Sequence, residues 1–167
     1  MESTGRGHVG IPTRPMSPRG VAILVLGATL LGQAMGEFLS LYESYLRATT
    51  ALSNSTLGGL VTPIPLLGST PLGLLEYLFW PVLPFIGLYV LGARIDLNRH
   101  LVPFSAAAFI GGLVGLRVGF WVGQLVFFHS LSDSVLVVWF AIDGFYGFVV
   151  AFSAVALKHI RITKSSG

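Results

Sequence analysis

The chain has no cysteine among its 167 residues, and only 10% of them are charged. The first absence excludes disulfides, thiolate metal sites and thiol redox chemistry. The second sets the class, because soluble domains usually carry about 25% charged residues. Hydrophobic residues make up 53% of the chain and its mean hydropathy is +0.79, so it reads as an integral membrane protein. HExxH, GxSxG and paired-acid patterns are also absent. No catalytic residue is therefore assigned, and an enzyme is not expected. His8, His100, His129 and His159 all fall in tails or at the ends of apolar runs, which argues against a bis-histidine haem. Neither a cofactor nor a metal is expected. An isoelectric point near 9.6 would suggest nucleic acid in a soluble chain. Here the basic residues flank apolar runs, where membrane topology accounts for them, and nucleic acid is set aside as a partner.

Four apolar runs stand out, at about 21–46, 72–93, 101–128 and 135–157. Each is near or above the ~20 residues that cross a hydrocarbon core. The expected fold is all-α: a polytopic membrane protein whose four transmembrane helices form an antiparallel bundle within residues 20–158. The first run exceeds the ~7–15 residues of a signal-peptide core, so it is expected to stay as a span. A polar stretch over 1–19, with Pro12, Pro15 and Pro18, reads as a disordered tail, and 159–167 as a short basic one. With the N-terminus inside, Arg6, Arg14, Arg19, Arg94, Arg99, Lys158, Arg161 and Lys164 share one face and only Arg47 lies outside. The positive-inside bias thus predicts a cell-membrane protein with both termini cytoplasmic. Trp80, Trp121 and Trp139, with Tyr42, Tyr45 and Tyr77, would form an aromatic belt toward the outer surface.

The segment 48–73 carries no charge and reads as an interfacial loop or a re-entrant turn, since irregular backbone at membrane depth needs protein or water to satisfy it. It contains the sequon Asn54-Ser55-Thr56. In the second run, Pro81 and Pro84 each remove an amide donor and should kink the helix. Glu43 and Arg47 are spaced as an i,i+4 pair, and Glu76 suits a helix N-terminus.

Polar residues inside the runs are the candidate site. Thr29, Gln33, Glu37, Ser40 and Ser44 recur at three- and four-residue spacings, which puts them on one helix face. The third run holds Arg117 and Gln124 on a shared face, and the fourth holds Asp143 and Tyr146. A charge facing lipid costs several kcal/mol, roughly 2.5–3.5 at a span centre, so Arg117 is expected to pair with Glu37 and Asp143. Two acids against one guanidinium leave a surplus negative charge, which a bound proton could offset. Gln33, Gln124 and Tyr146 would then hold connecting waters. The competing reading is a structural clamp between helices, because polar contacts in membrane bundles average about 0.6 kcal/mol.

Glycine recurs every fourth residue at Gly111, Gly115, Gly119 and Gly123, nearly opposite Arg117 around the helix. If Arg117 faces the bundle centre, this ridge turns outward, toward lipid or another subunit. Small-residue ridges are where membrane helices associate, so a homo-oligomer or a larger membrane complex is expected. The alternative is that the first run, with Gly32 and Gly36, or the fourth packs on the ridge within one chain. Two functions follow: a proton- or ion-coupled transporter or channel-like protein built on the Glu37, Arg117 and Asp143 site, or an accessory or assembly subunit docking through the glycine ridge.

Overall fold

In hydrocarbon every backbone N–H and C=O must be paired inside the chain, and a helix does this within one segment. The computed structural model describes residues 16–50, 58–64, 69–129 and 137–165, and no strand occurs among them. The helices are α1 (Pro18–Thr50), α2 (Gly58–Val61), α3 (Pro71–Tyr77), α4 (Leu83–Leu91), α5 (Leu97–Gly123) and α6 (Val137–Ser165). A wide helical turn at Leu78–Val82 joins α3 to α4, and another at Gln124–Phe128 extends α5. Four stretches are long and apolar enough to cross a membrane: Pro18–Thr50, Pro71–Arg94, Leu97–Phe128 and Ala141–Ile162. They correspond to the four runs expected above. The N-terminal tail as far as residue 15, the Asn54 sequon and residues 130–136 lie outside the described residues.

Local chemistry sets the helix ends. Thr70 accepts from the Gly73 amide at 2.9 Å, and Pro71 fills the first turn of α3, where its missing amide is harmless. Asp96 accepts from the amides of Asn98 and Arg99 at 3.1 and 3.4 Å. That cap starts α5 at Leu97, four residues before the apolar run begins, so most of the polar connection is helix. The kink expected in the second span is present: Trp80 leaves the helical region at φ −141° and ψ 119°. A second break, not foreseen, lies at His100 (φ −119°, ψ 15°), three residues before Pro103. Proline has no amide to return to the Arg99 carbonyl.

The most extensive interface is that of α1 with α5, followed by α5 with α6 and α4 with α6. An apolar core fills one end, where Val21, Val25, Leu88, Phe104, Ala151 and Val155 are buried. At the other end Phe127 gathers Phe38, Tyr42 and Tyr45, with ring centroids 5.0, 5.2 and 5.6 Å away. Large apolar side chains also point outward: Ile23, Val90 and Val102 are 71%, 63% and 78% exposed. Surfaces of that kind suit lipid rather than water.

A candidate acidic site between the first, second and fourth spans

The polar face of α1 is laid against its neighbours at its first half and opens progressively. Thr29 and Gln33 are buried, Glu37 and Ser40 half-buried, and Ser44 exposed. Thr29 is satisfied within its own helix, its hydroxyl donating to the Val25 carbonyl at 2.8 Å. Gln33 is 6% exposed, and its Oε1 has no hydrogen-bond partner among the described residues. A buried acceptor left unmade costs about 1–3 kcal/mol.

One turn further along α1, Glu37 lies within electrostatic range of Glu76 on α3 and Asp143 on α6. Glu76 is in turn within range of Glu43. Four carboxyl groups from three spans therefore form a file, Glu43, Glu76, Glu37, Asp143. One end is anchored by Arg47, whose Nε and Nη2 donate to Glu43 Oε1 at 3.0 and 2.5 Å. Close packing makes the file possible. Gly36 of α1 admits the second span so nearly that a Cβ there would stand 3.0 Å from Trp80 Cβ and 3.8 Å from the Glu76 carbonyl. Among the described residues no group of three such side chains is placed to hold a metal ion.

Of the residues singled out above, Asp143 lies within electrostatic range of Glu37, as does Glu76. The Arg117 guanidinium lies over the Trp121 ring of its own helix, 5.7 Å from the centroid. Gln124 is half-buried at the turn that ends α5. Tyr146 is 44% exposed and meets the edge of Trp80 at 5.7 Å.

The glycine ridge faces the opposite way from the expectation. All four glycines are buried, and they lie on α1. Gly111 meets Thr29, Gly119 meets the Ala34 backbone and Gly123 meets Leu41. A Cβ on Gly115 would stand 2.5 Å from the Leu30 carbonyl oxygen and 2.9 Å from Leu30 Cα. The outward orientation was inferred from an arginine at the bundle centre. The contacts with Thr29, Leu30, Ala34 and Leu41 make the ridge an inner seam, its glycines covered within the chain.

Sequence reasoning assigned Glu76 to a helix start and Glu43 to a surface pair, and so missed their place in the file. The signal was there in Gly32 and Gly36, whose spacing marks a face of α1 that a second backbone can approach. The chain matches no family model, no curated protein and no solved structure.

Proposed function

We propose that this protein spans the membrane four times with its helices alternating in direction and both termini cytoplasmic, and that the acidic file conducts or couples to a proton or small cation. The observation that carries this reading is that Glu37 lies within electrostatic range of both Glu76 and Asp143. Like charges are gathered from three spans although each would be less costly apart, and intramembrane acids of that kind mark ion and proton routes. Glu43 gives the file one end, beside the exposed side chain of Arg47. Asp143 gives it the other, at the contact of α5 with α6 where its backbone carbonyl oxygen meets Gly112. The unpartnered oxygen of Gln33, one turn from Glu37, is an acceptor that a water in the file would satisfy.

The test uses the full chain in proteoliposomes with a pH-reporting dye inside and an imposed proton gradient, repeated with sodium and potassium gradients. Proton flux well above that of empty liposomes is expected. Glu37→Gln should lower it at least tenfold, and Glu76→Gln or Asp143→Asn less. If wild type collapses the gradient no faster than empty liposomes in every condition, the conduction reading fails.

A further inference from the structure

At the end of the bundle opposite Glu43, two cations converge on one neutral ring. Lys158 Nζ lies 5.1 Å from the centroid of Tyr89, and Arg161 Nη1 donates to the Tyr89 hydroxyl at 3.1 Å. The Lys158 stem is held across Gly92, where a Cβ would stand 3.1 Å from Lys158 Cβ and 3.3 Å from Cγ. Phe85 stacks on Tyr89 with its ring 6.4 Å away and 7° from parallel. The cluster is thus assembled from two spans, and its tyrosine is braced by a neighbour.

Tyrosine offers a lysine an electron-rich face and an arginine a hydroxyl acceptor, but it supplies no negative charge. Two like charges are held together at one place. Asp96, the acid in the adjoining connection, is occupied by the amides of Asn98 and Arg99. Glu76 belongs to the other end of the span that carries Tyr89. The same two helices present exposed apolar side chains, with Ile86 and Leu157 both 50% exposed and Val90 63%. A paired cation site bordering apolar surface matches an amphiphile with an anionic head.

We propose that Lys158 and Arg161, gathered on Tyr89, bind the phosphate of an anionic phospholipid whose acyl chains lie against the apolar flank of α4 and α6. Juxtamembrane basic residues attract anionic lipid generally. Here the tyrosine presets two of them, which makes a site of what would otherwise be a diffuse field.

Purified protein in micelles containing equal phosphatidylglycerol and phosphatidylcholine would be read by native mass spectrometry for retained lipid. Wild type is expected to retain phosphatidylglycerol preferentially. Lys158→Gln with Arg161→Gln should lower that preference by roughly tenfold or more, at about fivefold per cation. Tyr89→Phe keeps the ring and the fold but removes the arginine's acceptor, and should lower the preference roughly twofold. Arg19→Gln with Arg99→Gln removes the same charge elsewhere at the same end and should leave the preference nearly unchanged. The proposal is overturned if wild type shows no preference, or if the Arg19 and Arg99 variant loses as much as the Lys158 and Arg161 one. Displacement of phosphatidylglycerol by millimolar inorganic phosphate would overturn it too, as that would make it a site for free phosphate.

Discussion

Around Phe104 the helices meet through Val21, Val25, Leu88, Ala151 and Val155, all buried and all apolar. Further along the same α1, around Glu37, the neighbouring helices place Glu76 and Asp143 within electrostatic range, beside an amide oxygen with no partner among the described residues. Lipid tails are as apolar as the first region, so its stability comes from dense packing rather than from escape from water. The second region works against the fold, because like charges within range of one another repel and their partial burial leaves them poorly solvated. Both regions lie beside one seam, the α5 glycines on α1, which fixes the spacing of the polar region as firmly as that of the dry one. A site with unfavourable electrostatics is held in place by a scaffold that contributes none of its chemistry.

This contrast can be broken at the seam itself. Gly115→Leu forces a side chain into the Leu30 backbone, where no rotamer offers relief. It should destabilise the protein by about 4 kcal/mol or more, seen as loss of the monodisperse peak on size-exclusion chromatography after heating. Val118→Leu on the exposed side of the same helix should change the melting profile little. If both variants behave alike, the seam is not what joins the two regions.

Phe104→Ala empties a fully buried site in the dry region. About 3 kcal/mol is expected, the lower end of the range for buried aromatics, as a drop in melting temperature with flux per folded molecule retained. The polar region should show the reverse pattern. Glu37→Leu removes one of the mutually repelling acids and should be neutral or stabilising by about 1 kcal/mol, while proton flux is lost. A marked destabilisation would instead make Glu37 a structural clamp. Gln33→Leu removes the unpartnered buried oxygen and should raise stability by up to about 1 kcal/mol, read in the same melt. The smallest effect is expected at the exposed end of α1. There Arg47→Ala breaks its pair with Glu43 and should cost only a few tenths of a kcal/mol.

Much of the architecture was legible because it rests on long-range composition. Four uninterrupted apolar runs leave a chain few alternatives in a bilayer, and the kink at Trp80 follows from prolines whose missing amides are a covalent fact. The site was legible only in part. Glu37 and Asp143 were found from their place in the apolar runs, whereas Glu76, within electrostatic range of Glu37, was not. Helical periodicity places residues around one helix and carries no information on which neighbour each face meets. The glycine ridge shows the consequence: its spacing marked it as a packing face, but its direction was deduced from an arginine assumed to be central. The contacts with α1 set that direction instead.

What the amino-acid order decided by itself is the helical class, the number of spans and the presence of acids and a small-residue ridge within them. These depend on local backbone satisfaction and on the cost of polar groups in hydrocarbon, which each segment meets alone. Tertiary structure alone decided which faces meet: the ridge on α1, Gly36 against the second span, and the acids in one file. Those choices turn on how closely two backbones approach, a property of pairs of helices that neither sequence segment contains separately.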